Sequence, residues 1–338
     1  MKKIMAVLLA IALLAALAGC ERKDPGHDVP PDSPVGPGEE QGGPDGPDDG
    51  KEPVTPPGPE DLPPVSADGL KLGLWDFAAS LGAAGLAAGG EYDLRITDDP
   101  GPLLATGELD AAIVPVSAAA RIYNETGGQI GIAAVTAAGG LGIVRRDATV
   151  RDIWDLAQRT VYVPEGDEEA AAVFGYIAEG YGFELGETLI LEPAPAGELA
   201  SHDIALMPAK QAGTAIVRDA DVKVALKLGM EWSAVTEGAL LPAGCLVVRN
   251  TLSDEETQAL LEDLKESQNG VSGYLDYAVA LGLAETQEEA WAALECCEFT
   301  WLTGADTVRE ELADYLSILF RLDPALLGGG IPDDGFYR

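Results

Sequence analysis

From Leu70 onward, short apolar runs alternate with stretches in which apolar side chains recur three and four positions apart, a strand signature followed by a helical one. Residues 70–75 read as a buried strand and 78–88 as an alanine-rich helix stopped by Gly89 and Gly90. A strand over 92–97, a short helix over 101–106, a strand over 110–114 and a helix over 117–123 continue the alternation, and strands over 130–135 and 141–144 close the first series. The pattern then restarts with strands over 160–163, 188–191, 203–206 and 222–226 and helices over 168–179 and 209–217. An apolar strand over 245–248 follows, and beyond Arg249 the chain reads as mostly helical, over 254–267, 271–281, 287–294 and 307–321. Strands separated by helices of this length predict parallel sheets covered on both faces. Two such units and a helical tail predict an α/β protein of two lobes, with the tail packed back on the first.

The start of the chain is patterned differently. Lys2 and Lys3 precede an unbroken apolar run over 4–17, and Leu17-Ala18-Gly19-Cys20 sets small residues against a cysteine. Fourteen residues make a helix of about 21 Å, short of the roughly 30 Å hydrocarbon core of a bilayer. The pattern is that of a signal peptide over 1–19, cleaved before Cys20, whose thiol and freed amine take acyl chains; two or more chains anchor stably where one does not. Residues 20–66 are dense in proline, glycine and acids and nearly devoid of apolar side chains, so they bury no core and serve as an extended, lipid-anchored tether. The protein is expected outside the cell membrane, anchored to it.

The formal net charge of −36 excludes nucleic acid as a partner and favours solubility in an extracytoplasmic setting. The two histidines, His27 in the tether and His202 before a strand, have no catalytic or metal-ligating companions in sequence. No catalytic residue, metal site or cofactor is called for, and the chain does not read as an enzyme.

Five segments in register resemble the nitrate/sulfonate/taurine-type solute-binding proteins of ATP-binding-cassette transporters, a group that is also thiamine-pyrimidine-precursor-like. They are Gly107-Glu108-Leu109-Asp110-Ala111-Ala112-Ile113-Val114-Pro115, Thr160-Val161-Tyr162-Val163-Pro164-Glu165-Gly166, Asp203-Ile204-Ala205-Leu206-Met207-Pro208, Gly244-Cys245-Leu246-Val247-Val248-Arg249, and the tail from Gly328 to Tyr337. The resemblance implies a type II periplasmic-binding-protein fold: lobe one over 67–143 plus 248–338, lobe two over 144–247, two hinge strands, and ligand in the cleft between them. It also implies a small-molecule solute, a membrane permease and ATPase as partners, and a monomer. The family register implies a disulfide between Cys245 and Cys297, with Cys296 left over; closing about 50 residues would stabilise by about 4 kcal/mol in the chain-entropy model. An exported enzyme or a sensory binding module on the same fold is the alternative.

Strand-to-helix turns at such a cleft expose helix N-termini and their unpaired N–H groups. The turns single out Trp75, Asp76, Phe77, Ser117, Thr136, Glu165, Gly166, Asp167 and Lys210 as ligand-binding candidates. Ser117 and Asp167 also sit where N-caps belong, and Trp75 and Phe77 are either core fillers or an aromatic wall. Lys210 is the only base in these turns, against Asp76, Glu165 and Asp167. An arginine-lined oxyanion site is missing, and a neutral, zwitterionic or cationic ligand fits better than a bare nitrate or sulfonate.

Overall fold

The computed structural model describes residues 69–146 and 148–338. The signal peptide, the lipidated Cys20 and the tether lie outside the described residues.

The chain builds β1 (Leu70–Leu74), a 3-10 helix (Ala78–Ala88), β2 (Tyr92–Ile96), α1 (Pro100–Thr106), β3 (Ala111–Pro115), α2 (Val116–Thr126) and β4 (Ile130–Gly139). Next come β5 (Leu141–Arg145), β6 (Arg159–Pro164), α3 (Glu168–Gly180), β7 (Leu189–Ala194), β8 (Ile204–Pro208), α4 (Ala209–Arg218), β9 (Lys223–Lys227) and α5 (Leu228–Val235). The chain then returns through β10 (Pro242–Arg249), α6 (Asp254–Asn269), α7 (Leu275–Leu281), α8 (Gln287–Ala293), β11 (Cys297–Thr303) and α9 (Ala305–Leu322). Two sheets result, one ordered β11-β4-β10-β3-β1-β2 and the other β7-β6-β8-β5-β9.

The strands are apolar on both faces because both faces are covered. In β3, Ala112 and Val114 enter one core cluster with α2, α3, α5 and α9, while Ala111 and Ile113 enter a second with the 3-10 helix, α4 and α6. Residues of both sheets contribute to each cluster, so the two lobes share packing on both faces.

Three sequence expectations need correction. The sheets are mixed rather than parallel: β10 runs antiparallel to β3 and β4, β11 antiparallel to β4, and β5 antiparallel to β8 and β9. These are the segments entering, leaving or re-entering a sheet at the inter-lobe passages, which frees them from the right-handed helical crossover that makes neighbours parallel. Second, the mostly helical tail does not pack on the first lobe alone. It contributes β11 to the edge of the first sheet, and α8 lies against α4 of the second lobe, where a Cβ on Gly213 would come within 2.4 Å of the Ala293 backbone nitrogen.

Third, Cys245 and Cys297 do not form a disulfide; both are buried free thiols, as is Cys296. Cys245 on β10 pairs with Val135 of β4, and Cys297 on β11 pairs with Gly139 on the other side of the same strand. Two inter-strand spacings and four residues of strand put their Cα atoms roughly 16 Å apart, well beyond the roughly 7 Å a disulfide can span.

The chain passes from the first sheet to the second at Gly139 and Gly140, both with φ of 81°. It returns between α5 and β10. The passages are bonded side by side: Gly139 N–H donates to Leu241 O (2.8 Å), Gly140 N–H to Cys296 O (2.7 Å) and Ala209 N–H to Gly140 O (2.8 Å). A Cβ at Gly139 would lie 2.9 Å from Cys296 O, so glycine is needed there for room as well as for its left-handed backbone. Among the described residues no helix is long and apolar enough to cross a membrane.

Candidate functional site

The seam between the lobes is made where β3 and β6 end. β3 runs directly into α2, placing Ser117 in its first turn; β6 ends at Pro164, and Asp167 caps α3 by accepting the Ala170 N–H (3.0 Å). Glu169, in the first turn of α3, reaches across. One carboxylate oxygen accepts the Ser117 hydroxyl and the other accepts the hydroxyl of Tyr315 on α9. A carboxylate of the second lobe is thus held by two hydroxyls of the first. Burial pushes the Glu169 carboxyl above its ordinary range, against the opposing pull of the two hydrogen bonds. Burial and the facing Glu169 also drive the Tyr315 hydroxyl far above the usual tyrosine value, so it stays a donor.

Aromatic rings continue the seam. Tyr315 meets Trp232 of α5 edge-on with ring centroids 5.8 Å apart, and Trp232 meets Tyr176 of α3 at 5.4 Å. Trp232 is 0% exposed and its indole N–H has no partner. Thr136, also 0% exposed, carries an unpartnered hydroxyl. It lies on β4 where β10 and β11 both shift register, and its backbone carbonyl accepts from Gln268 (3.0 Å). Buried polar atoms without partners are uncommon in native proteins.

A second bridge joins the lobes where β1 and β8 end: Lys210, at the start of α4, pairs with Asp76. Both side chains are partly exposed, so the pair contributes modestly to stability. It does, however, occupy the one base the strand-end turns supply.

Of the candidates read from the sequence, Ser117 reaches Glu169, two residues past the Asp167 cap, and Asp76 meets Lys210. Thr136 is buried within β4. Glu165 and Gly166 face solvent, the glycine with φ of 81°. Trp75 and Phe77 are partly buried and pack against different core clusters. His202 stacks on Tyr162 at 3.6 Å between centroids. Glu169, Tyr315 and Trp232 were not among the candidates. A glutamate in a helix's first turn reads as a complement to the helix dipole, Tyr315 reads as helical core, and Trp232 lies in a stretch without a clear helical pattern, so no local signal marks them.

Two cavities stand out, and neither has Ser117, Glu169, Tyr315 or Trp232 in its wall. One of about 460 Å³ adjoins both inter-lobe passages and includes Gly139, Lys227, Met230, Leu240 and Glu311 in its wall. The other, about 340 Å³, lies beside α4 and α8 and includes Lys210, Arg218 and Glu289. Among the described residues no group of three or more His, Cys, Asp or Glu is placed to hold a metal ion.

No protein-family model matches the sequence, and no curated protein matches it. Solved structures do match the fold. An ABC transporter protein from Parabacteroides distasonis aligns with a TM-score of 0.66 at 18% identity, over 80% of this chain and 98% of the other. The periplasmic aliphatic sulphonate binding protein SsuA from Escherichia coli gives 0.57 at 12% identity, over 80% and 95%. The ligand-binding component of an ABC-type import system from Staphylococcus aureus, with zinc bound, gives 0.55 at 14%, over 80% and 96%. At these identities the likeness is one of architecture: two mixed α/β lobes, linked by two passages and meeting at a seam, give this chain the type II periplasmic-binding-protein fold of import-system binding components.

Proposed function

We propose that the protein is an extracytoplasmic solute-binding lipoprotein. Tethered through Cys20, it captures a small molecule between its lobes, closes about its two inter-lobe passages, and hands the solute to the permease and ATPase of an importer. Ser117, Thr136, Asp167 and Glu169 are the contacts proposed for the solute. The protein works as a monomer and carries out no chemistry on its cargo.

The observation that carries this reading is the hold of Ser117 and Tyr315 on Glu169 from the opposite lobe. Such a contact forms only when the lobes shut. A solute that touches both lobes gains in the closed state contacts the open one lacks, and this differential affinity drives closure. The neighbours of known role bind solutes, which supports the same reading.

The test is a thermal-shift screen of the purified protein against nitrogen compounds, sulfur compounds and vitamin precursors, each hit followed by small-angle scattering and by product analysis. A solute at 100 times its Kd raises the unfolding free energy by about 2.7 kcal/mol. Stabilisation with compaction and unaltered solute is expected. Conversion of the bound compound would make the protein an exported enzyme instead.

A further inference from the structure

We infer that the solute carries a protonated nitrogen received by Glu169, and with it a hydrogen-bond acceptor received by Trp232. The inference rests on the solute-binding reading above and names the chemical class that site takes.

Glu169 is the reason for the charge. Its carboxylate sits on the seam between two neutral donors, Ser117 and Tyr315, and among the described residues no salt bridge reaches it. Arg121, one turn after Ser117 on α2, acts on it only weakly and from a distance, and Asp167 adds negative charge nearby. Lys210, which would neutralise an anion, is already held by Asp76. An anionic solute entering here meets a partly buried carboxylate that no base pairs with, while a cation completes a pair.

The rings agree with the charge. Tyr315, Trp232 and Tyr176 form a row starting at Glu169, with successive centroids 5.8 and 5.4 Å apart, and ring faces attract cations. An alkylammonium or a protonated heteroaromatic ring has both the charge for Glu169 and a body for these rings.

The acceptor follows from an independent atom. The Trp232 indole N–H can only donate, and it is wholly buried without a partner. A simple alkylammonium leaves it unsatisfied. A solute in which a carbonyl, hydroxyl or ring nitrogen accompanies the cationic nitrogen satisfies it, and so completes the buried polar network.

The experiment is calorimetric and thermal-shift titration of the protein with ethanolamine, agmatine and 4-aminopyridine as cationic probes, and with methanesulfonate and nitrate as the comparison set. A cationic probe is expected to bind. Its affinity should fall about 30-fold or more in Glu169→Gln, which keeps the shape and an acceptor for one hydroxyl but removes the charge. Glu168→Gln, the exposed neighbour, should bind as the unaltered protein does, and circular dichroism verifies that both variants are folded. Binding confined to methanesulfonate or nitrate, or a cationic probe held equally well by Glu169→Gln, overturns the ligand class while leaving the solute-binding reading intact. Failure of every probe in both sets overturns the two together.

Discussion

Replacing Gly213 by alanine tests how the C-terminal segment grips the second lobe. In an open helix, glycine to alanine is favourable by about 1 kcal/mol. Gly213 is not in an open helix. A Cβ there would stand 2.4 Å from Ala293 N, 2.7 Å from Ala293 Cα and 2.9 Å from the Ala292 carbonyl carbon. All three are backbone atoms, so no side chain can rotate away, and ordinary contact of about 3.5 Å requires α4 and α8 to part by roughly 1 Å. Overpacking of this kind costs about 1–3 kcal/mol, which outweighs the helical gain. The expected net loss is up to about 2 kcal/mol, read as a lower urea midpoint with unchanged slope. The matching fall in Tm is about 2–4 °C per kcal/mol for a chain of this size. Gly197, around which nothing lies within 4 Å, is the control: alanine there should be neutral or stabilising by up to about 1 kcal/mol. A Gly213→Ala protein at least as stable as the original would refute the close crossing, and with it the attachment of the tail to the second lobe.

Burial raises the Glu169 carboxyl above its unfolded value of about 4.3, so the folded chain binds more protons than the unfolded one between the two values. This residue's contribution to stability is therefore full below about pH 4.3 and declines as pH rises through the folded value. Glu169→Gln should gain stability relative to the original chain between pH 4 and pH 8 in urea titrations, and a constant or shrinking gap would refute the buried charge. Thr136→Val removes an unpartnered buried hydroxyl at almost constant shape and should raise the unfolding free energy by about 1 kcal/mol; a loss of that size would mean that the hydroxyl has a partner. Burial pushes the Cys296 and Cys297 thiols up to about 12 and Cys245 higher still. All three should resist a thiol reagent in the folded protein and react on unfolding without reductant. A peptide joining Cys245 to Cys297 would contradict the strand order.

Much of the architecture is local in origin and so was legible along the chain. The run Ala111-Ala112-Ile113-Val114 is apolar at every position because both faces of β3 are covered, and Asp167 before Glu168-Glu169 announces a helix start by cap and dipole chemistry. Alternation of such runs with helical stretches was enough for two α/β lobes. The strand β11 was not legible, since Phe299, Trp301 and Leu302 follow no clean period where the pairing with β4 shifts register. The helix α5 is short, with a glycine in its first turn, and gave no clear signal either.

What the sequence alone determined was the inventory: the lobes, the acidic turns, the glycines at 139 and 140, and Ser117 and Asp167 at helix starts. Tertiary structure alone decided the partnerships. It set β4 between Cys245 and Cys297, put Lys210 on Asp76, and brought Glu169 under the hydroxyls of Ser117 and Tyr315, residues separated by 52 and 146 positions from it. The physical reason is range. Backbone preference and hydrophobic period act over a few residues and leave their mark in composition, whereas a hydrogen bond across a seam depends on where two lobes come to rest, which no neighbouring residue records.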